Sequence, residues 1–340
     1  GYVGPGVVSQ LRESYPDAEL IGFDTGFFAH CLTNSPFLPE LKLNQQIYGD
    51  VRNFNPDLLN GVDAIVYLAA ISNDPMGNRF EEVTMDINYK SAVEMAKTGK
   101  DKGVKSFVFA SSCSVYGEAD DFAKVETDKL NPLTAYARSK IAAEQDLDKI
   151  ADSNFTVTCL RFATACGFST RLRLDLVIND FVAGAVTSKR IDILSDGTPW
   201  RPLINVSDMA RAVNWAITRN PGNGGKFLAV NTGTNEWNYR VKELAEAVAE
   251  VINGCKVSVN PEAPPDKRSY KVNFDLFKKL APNHQPVFQL KPTIANLVEN
   301  LTQMGFDDAN FRKSSLIRLN VINDLIQQKH LDNNLSWNRK

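Results

Sequence analysis

Short runs of β-branched and other apolar residues alternate with segments of helical periodicity over the first 230 or so residues, and this alternation constrains the fold most strongly. It is typical of a parallel sheet whose strands are connected by helices on both faces. The predicted strands are residues 19–23, 46–48, 64–68, 106–110, 156–161 and 226–230, and the predicted helices between them are residues 7–14, 86–102 and 134–150. The sequence therefore predicts the α/β class, with a doubly wound parallel sheet.

The order of the elements becomes mixed after about residue 165. Helices are predicted near residues 175–186, 206–219 and 240–252, separated by segments rich in turn-forming residues. We therefore predict a sheet domain over residues 1–165, to which residues 203–232 return, and a smaller mixed α/β lobe over residues 166–330.

Two later segments look irregular. Residues 260–269 contain three prolines, which fix the backbone and remove hydrogen-bond donors, so we predict a loop. Residues 331–340 are polar enough to predict a loosely held tail.

Composition and charge argue against several classes of function. The chain has 38 Lys and Arg against 40 Asp and Glu, so its formal net charge is −2, and no basic excess favours nucleic acid. The sequence has no apolar run of about 18 residues, the length that a membrane helix needs. The five cysteines form no CxxC pair, which argues against a disulfide framework and a zinc site. We expect a protein of the reducing cytoplasm with no nucleic-acid, membrane or metal partner.

Two glycines at the start of the chain precede an apolar helix. Gly1 and Gly4 flank Tyr2 and Val3, and Asp24 closes the next strand about twenty residues later, the distance of a dinucleotide-binding fingerprint. The glycines let the backbone approach a pyrophosphate, and the acid accepts hydrogen bonds from ribose hydroxyls. Two glycines alone are more typical of a plain turn, but Asp24 reverses that balance. Its carboxylate repels a 2′-phosphate and so favours NAD over NADP.

The same dinucleotide-binding fingerprint also includes a strand and a glycine that come before the residues matched by Gly1 and Gly4. It predicts a strand and a further glycine ahead of Gly1, about ten residues in all. Two later segments, Gly49-Asp50-Val51 and Leu68-Ala69-Ala70, follow predicted strands at the edge where open α/β sheets bind ligands. Each segment alone is equally typical of a simple strand-end turn.

A tyrosine and a lysine stand four residues apart at the start of a predicted helix, so Tyr136 and Lys140 share one face. The phenol pKa of about 10 is too high for a base at neutral pH, but an adjacent ammonium and a cationic nicotinamide favour the phenolate. The strand upstream ends in Ser111 and Ser112, whose hydroxyls can bind a sugar oxygen while the tyrosine takes its proton. A YxxxK match alone is common on solvated helices. With the serines, it predicts a catalytic site.

These motifs make the sequence resemble the extended short-chain dehydrogenase/reductase family, in particular nucleotide-sugar epimerases and dehydratases of the UDP-glucose 4-epimerase type, from Gly1 to about Leu301. The resemblance implies a Rossmann-type domain, NAD as cofactor and a nucleotide-diphosphate sugar as substrate. It implies Ser112, Tyr136 and Lys140 as catalytic residues. The cofactor-binding residues that it implies are Gly1, Tyr2, Val3, Gly4, Asp24 at the ribose, Asp50 and Val51 at the adenine, Leu68, Ala69, Ala70, Asn88, Tyr136 and Lys140.

The second half of the chain also matches this family. The resemblance places Asn179, Arg201 and Arg268 at the nucleotide diphosphate, with Ser112 and Ser114 at the sugar. Planar guanidinium groups grip phosphate oxygens bidentately, although each arginine alone is equally typical of a surface ion pair. Arg171 and Arg173 add two charges that could reach the diphosphate or the sugar.

The resemblance implies one common first step, the oxidation of a sugar hydroxyl to a ketone, from which the enzymes of this family proceed to different products. The resemblance implies that a dehydratase would have a Thr-Asp-Glu arrangement, in which two acids follow the catalytic hydroxyl. In this sequence Cys113 and Ser114 follow Ser112, so the two carboxylates are missing. An epimerase that oxidises C4 to a transient ketone and returns the hydride is therefore favoured. A dehydratase, a reductase and a non-catalytic NAD-binding protein remain alternatives.

Two predicted helices carry apolar faces that bear on assembly. In related enzymes, helices in the positions of residues 86–102 and 134–150 pair with their copies, which implies a homodimer. The alternative is that these faces only cover the sheet. The apolar residues are Ile87, Ala92, Val93, Met95, Ala96, Ile141, Ala142, Leu147 and Ile150.

Overall fold

The computed structural model describes residues 1–118, 122–260, 263 and 268–338 and has an α/β architecture. The strands are β1 (Ile21–Asp24), β2 (Gln45–Tyr48), β3 (Ala64–Tyr67), β4 (Ser106–Ser112), β5 (Thr156–Phe162), β6 (Thr164–Cys166), β7 (Arg190–Ile193), β8 (Trp200–Asn205), β9 (Phe227–Thr232), β10 (Asn238–Arg240) and β11 (Lys256–Val259). The helices are α1 (Gly4–Ser14), α2 (Asp74–Arg79), α3 (Glu81–Met85), α4 (Ser91–Asp101), α5 (Ala135–Ile150), α6 (Val177–Ser188), α7 (Val206–Thr218), α8 (Val241–Val251), α9 (Asp275–Leu280), α10 (Leu290–Gln303) and α11 (Arg318–Gln327).

The central sheet has the strand order β3-β4-β5-β9, and all its neighbours pair in parallel. Its two middle strands are almost entirely buried, as expected for apolar strands covered by helices on both faces. The predicted α/β class with a parallel sheet is confirmed. Because β9 pairs with β5, the chain from residue 227 to 232 lies in this sheet and not in the later lobe.

A second, smaller sheet lies beside the central one. Strands β1 and β2 pair in parallel with each other, and within the described part of the chain neither joins the central sheet. A cavity of about 900 Å³ is lined by both β1 and β3 and extends to the start of α1.

The later part of the chain forms the mixed lobe. Strands β10, β8 and β6 make one small sheet, and β11 pairs in parallel with β7. Helices α6, α8 and α10 pack against one another. Helices α9, α10 and α11 were not predicted, although α10 buries Leu290, Ile294, Leu297 and Leu301 at helical spacing.

The last part of the chain returns to the first domain. Ile322, Leu331 and Leu335 are buried in the same apolar cluster as Phe27 and Val51. The prediction of a loosely held tail is therefore wrong for residues 331–338, because two leucines bury their side chains there. Of the predicted proline-rich loop, residues 261, 262 and 264–267 lie outside the described residues, as do residues 339 and 340.

The helical segment before β4 is more divided than predicted. A π turn over Asp86–Lys90 separates α3 from α4. Most of the apolar residues expected to form a dimer face are buried within the single chain, namely Ile87, Ala92, Val93, Met95, Ala96 and Leu147. Ile141, Ala142 and Ile150 are half-buried.

Candidate active site

Three predicted catalytic residues come together at the carboxyl end of β4. Ser112 is the last residue of this strand, and Tyr136 and Lys140 lie in the first two turns of α5. A hydrogen bond joins Ser112 to the Tyr136 phenol. The Nζ atom of Lys140 lies 5.6 Å from the centre of the tyrosine ring. The structure thus assembles the three side chains, and their catalytic roles stay a prediction.

The surroundings set the protonation of this pair. Burial raises the pKa of Tyr136 to about 12, although the hydrogen bond with Ser112 lowers it. Burial also lowers the pKa of Lys140 to about 7, and its Nζ lies 4.5 Å from the centre of the Phe109 ring. The expected depression of the tyrosine pKa is therefore wrong for the protein by itself, because desolvation outweighs its neighbours. A cationic nicotinamide bound beside the phenol would lower this pKa.

Asn88 lies on the π turn, a feature that often occurs at functional sites. Its Oδ1 accepts a hydrogen bond from the Ile71 N–H (2.8 Å), and its Nδ2 donates to the Ile71 carbonyl (3.0 Å) and to Ser139 Oγ (3.1 Å). The Ser139 hydroxyl donates in turn to the Tyr136 carbonyl (2.7 Å). Asn88 thus links the segment after β3 to α5, which carries Tyr136 and Lys140, and its role toward the cofactor stays a prediction.

A buried ion pair behind the site joins α5 to two strands. Glu144 lies one turn after Lys140 and pairs with Arg161 of β5 at 2.7 Å, and both side chains are at least nine-tenths buried. Ser111, the neighbour of Ser112, donates a hydrogen bond to Glu144 (2.6 Å). The sequence analysis missed this network. An arginine inside a fully buried strand of otherwise uncharged residues was the available signal, because such a charge needs a buried partner.

The predicted cofactor residues at the start of α1 line the cavity. The Cβ positions of Gly1 and Gly4 face open space, with no described atom within 4 Å. No described side chain caps α1, so its first backbone N–H groups and its partial positive charge are available to an anion. The other predicted cofactor residues on the cavity wall are Tyr2, Val3, Asp24, Val51, Leu68, Ala69 and Ala70.

The two predicted nucleoside contacts differ in their surroundings. Asp24 is exposed at the end of β1, and its carboxylate accepts a hydrogen bond from the Gly26 N–H (2.6 Å). Asp50 begins a 3₁₀ turn and pairs with Arg52 at 2.5 Å. Its charge is therefore already balanced within the chain, and both nucleoside contacts stay predictions.

The structure brings Arg201 and Arg268 to the same site. Arg201 donates a hydrogen bond to the Arg268 carbonyl, and Arg268 pairs with Asp74 of α2 at 2.6 Å. Burial raises the pKa of Tyr136 and the charge of Asp74 adds to the rise. A Cβ built at Gly77 of α2 would lie 3.4 Å from Tyr136 Cβ, so α2 packs beside the tyrosine. Tyr270 is buried among the same charges. The sequence analysis missed Asp74 and Tyr270. The role of the two arginines toward a diphosphate stays a prediction.

Asn179 is fully buried and engaged with the protein. Its Oδ1 accepts from the Gly167 N–H (3.0 Å), and its Nδ2 donates to the Arg173 carbonyl (2.9 Å) and lies 3.4 Å from the Tyr2 hydroxyl. A substrate contact would have to replace one of these bonds. The structure gives Asn179 a positioning role beside the glycine motif, and its substrate role stays a prediction.

The residues after Ser112 bear on the type of reaction. The Ser114 N–H donates to Ser112 Oγ (3.1 Å). The Ser114 hydroxyl is buried and has no hydrogen-bond partner in the described structure, so it can accept a hydrogen bond from a substrate. Cys113 is buried and its thiol donates to the Arg161 carbonyl (3.0 Å). Burial raises the pKa of this thiol well above its usual range. Cys113 is therefore a poor acid or base at neutral pH.

A second buried ion pair acts electrostatically on both Tyr2 of the glycine motif and Tyr136. Arg173 pairs with Asp175 at 2.7 Å and donates to Ser72 Oγ (2.9 Å). Asn73 donates to Asp175 (2.6 Å). The sequence analysis named only Arg173 of this group. The alternation of charged and apolar residues in Arg171-Leu-Arg-Leu-Asp175 was a signal for the rest.

The described residues contain no cluster of three metal-ligating side chains. None of the helices in the described ranges is long and apolar enough to span a membrane.

The fold is a parallel α/β sheet with two uncovered glycines at the start of a helix. Ser112 at the end of β4 meets Tyr136 and Lys140 of α5. These features are typical of a dinucleotide-dependent enzyme of the Rossmann class. A profile of the NAD dependent epimerase/dehydratase family matches residues 1–233. The chain belongs to this family.

Individual relatives agree with this assignment. The uncharacterized UDP-glucose epimerase YtcB of Bacillus subtilis is 29% identical over 207 residues, which are 60% of this chain and 62% of that protein. A UDP-glucose 4-epimerase of Streptomyces lividans is 25% identical over 269 residues, covering 74% of this chain and 78% of its own length. The solved structure of MoeE5 with UDP-glucose and NAD superposes with a TM-score of 0.72 at 25% identity, over 89% of this chain and 96% of that one.

Proposed function

We propose that this protein is an NAD-dependent nucleotide-sugar epimerase that oxidises one sugar hydroxyl, at C4, to a transient ketone and returns the hydride to the opposite face of the same carbon. The observation that carries the proposal is the group of Ser112, Tyr136 and Lys140 at the carboxyl end of β4. The relatives named above support a UDP-sugar as the substrate class.

The three side chains divide the chemistry between them. Ser112 orients the sugar hydroxyl, and the Tyr136 phenolate accepts its proton as the hydride leaves the same carbon. Lys140 keeps a proton donor beside the tyrosine and stabilises the phenolate when charged. NAD, when bound, supplies the hydride acceptor and then the donor. Return of the proton from Tyr136 to the ketone oxygen restores the starting state of the site.

The residues present fit such a cofactor. The cavity is lined by β1, β3 and the start of α1, two open glycines and an uncapped helix start face it, and an acidic side chain ends β1. Gly1, Gly4 and the start of α1 would hold the diphosphate, and Asp24 would hold the ribose.

One observation favours a second candidate, a dehydratase. The charge of Asp74 raises the pKa of the Tyr136 phenol, so this carboxylate belongs to the surroundings of the tyrosine, and loss of water from a keto-sugar needs a base at the neighbouring carbon. However, Asp74 is paired with Arg268. An unsaturated or deoxy-keto product from UDP-sugars would favour this candidate over the epimerase.

The test combines product analysis with a tyrosine variant. Purified protein is incubated with NAD and a panel of UDP-, GDP-, CDP- and dTDP-sugars, and the product is identified by NMR. Tyr136→Phe removes the titrating hydroxyl but keeps the ring, so turnover should fall by roughly 10²–10⁴-fold while NAD binding persists.

Tyr89→Phe is the matched control. Among the described residues, the Tyr89 hydroxyl donates a hydrogen bond only to Asp146 (2.5 Å), which lies on α5 away from Tyr136. It should leave turnover near the parent value. Near-normal turnover of Tyr136→Phe on the true substrate would remove the basis for hydride transfer at this site.

We also propose that the protein works as a homodimer in the cytoplasm. The half-buried residues Ile141 and Ala142 on α5 leave apolar surface for a helix of a second copy. The five cysteines are all free, which fits a reducing compartment.

A further inference from the structure

Three buried arginines line the cavity beside the glycine motif, namely Arg171, Arg173 and Arg318. Two of them have a carboxylate partner. Arg171 pairs with Glu40 at 2.5 Å, and Arg173 pairs with Asp175 at 2.7 Å. Arg318, the first residue of α11, has none within 4 Å among the described residues.

The guanidinium of Arg318 is hydrogen-bonded to the Cys31 side chain and to three backbone carbonyls. It donates to Arg171 (2.7 Å), Leu172 (3.0 Å) and Ser315 (3.5 Å), and its guanidinium carbon lies 4.8 Å from the centre of the Phe28 ring. Its side chain is about 2% exposed. Burial lowers its pKa only to about 10, so the group remains a cation at neutral pH. Arg318 is therefore a buried positive charge with no ion-pair partner among the described residues, although the charge of Asp175 also acts on it. A bound anion would offset the cost of its burial.

The position of this charge indicates which anion fits. The segment that accepts the carbonyl bonds of Arg318 also contacts the glycine motif, because Ser169 Oγ donates to the Tyr2 carbonyl (2.7 Å). Arg318 lines the same cavity as Gly1 and Gly4. The uncapped start of α1, at Gly4, adds its own partial positive charge. A diphosphate bound at this helix start would face Arg318 across the cavity.

The rest of the C-terminal segment, residues 311–338, holds the loops around the same cavity. Trp337 donates from Nε1 to the Thr25 carbonyl (2.7 Å), directly after Asp24, and its ring lies 5.6 Å from that of Phe27. Arg52, the partner of Asp50, donates to the Asn334 carbonyl (2.6 Å). Both loops predicted to hold the nucleoside are thus tied to this segment.

We infer that the C-terminal segment completes the dinucleotide site, with Arg318 as the cation that neutralises the diphosphate. This inference rests on the dinucleotide site of the proposed function, but it is independent of the sugar and of the reaction type. It assigns a cofactor-binding role to a segment outside the 1–233 match to the family.

The test compares ligands with and without phosphate on the full chain. Arg318→Gln removes the charge but keeps a donor for the backbone carbonyls. By calorimetry, it should weaken NAD and ADP-ribose by about 10–100-fold, the range expected for a charge-assisted bond, and leave adenosine within about twofold. Lys313→Gln, which removes an exposed cation from the same segment, should bind all three like the parent.

Three outcomes decide the matter. NAD affinity of Arg318→Gln within about twofold of the parent overturns the inference, as does an equal loss for adenosine, which indicates a purely structural role. If the Gln variant does not fold, Arg318→Lys decides, because its shorter, still charged side chain should lose affinity for NAD and ADP-ribose but not for adenosine. Failure of the parent protein to bind NAD overturns the proposed function too, so the two failures are distinguishable.

Discussion

Tyr136 makes the strongest demand on its surroundings, because a phenol with a pKa of about 12 must give up its proton near neutral pH. Ser112 contributes the hydrogen bond that lowers this pKa, and Asp74 acts in the opposite direction. Burial is the largest cause of the high pKa, and the Ser112 hydrogen bond is the largest effect that increases the fraction of phenolate available as a base.

Ser112→Ala should therefore change the pH dependence of catalysis as well as its rate. The base form is the phenolate, so kcat rises with pH toward the phenol pKa. Loss of the Ser112 hydrogen bond raises the pKa of the phenol, so the increase of kcat moves to higher pH. A phenol pKa that is higher by about one leaves roughly tenfold less phenolate at pH 7. The measurement is kcat against pH for the NAD-loaded protein.

Ser188→Ala, on the last turn of α6, is the control for removing a hydroxyl elsewhere. Its profile should overlay the parent profile. A Ser112→Ala enzyme with reduced kcat but an unmoved profile would show that Ser112 orients the sugar without acting on the tyrosine.

Residues separated by a fixed spacing were predictable, and those brought together by tertiary contacts were not. Tyr136 and Lys140 share a face because they are four apart on one helix, and Ser112 follows a strand whose end was evident. Asp74, Asp175 and Tyr270 reach the site from other segments, so no local pattern marked them. The tyrosine pKa was also missed, because desolvation depends on the whole pocket.

At the scale of elements, the site depends on how α5 is held against β4 and β5. The Glu144–Arg161 pair joins α5 to β5, and the Ser111 hydroxyl joins both to β4 next to Ser112. Removal of one partner of such a buried pair leaves an uncompensated group in the interior.

Glu144→Gln should reduce the free energy of unfolding by about 3–5 kcal/mol, measured by urea denaturation, because Arg161 then lacks its counter-charge. The double variant Glu144→Gln with Arg161→Met should lose less than the sum of the two single variants.

Glu81→Gln is the matched control, since its pair with Arg138 is exposed and should contribute no more than about 1 kcal/mol. Additive losses in the double variant would mean that the buried pair does not couple α5 to β5.

Elements with strong periodicity were predicted well and those that depend on context were not. The strands of the central sheet lie within two residues of their predicted ends, because β-branched runs bounded by polar residues mark them. The π turn at Asn88 has no local signature in the sequence. It is held by the hydrogen bonds of Asn88 with Ile71 and Ser139, which are distant in the chain.

At the scale of the whole molecule, the structure alters the expectation for assembly. Most of the apolar residues proposed for a dimer face already cover the sheet within one chain. What remains for a partner is the half-buried surface of α5 around Ala142.

Light scattering at micromolar concentration should nevertheless report a dimer, and Ala142→Glu should shift it to monomer by placing charge in the contact. Leu41→Glu, on a leucine that is 72% exposed, should remain a dimer. A parent protein that is monomeric at this concentration would assign the apolar faces solely to the packing of the sheet.

The return of residues 318–337 to the first domain also has a consequence for the order of events during synthesis. The segment from Gly1 to Thr25 leaves the ribosome long before Arg318, which lines the same cavity, and before Trp337, which donates to the Thr25 carbonyl. Both residues emerge more than 290 residues later. If Arg318 supplies the diphosphate's counter-charge, a nascent chain has only half of its cofactor pocket until translation has passed these residues. Cofactor capture would then be a late, post-translational event, and a chain clipped near residue 311 would be left without it.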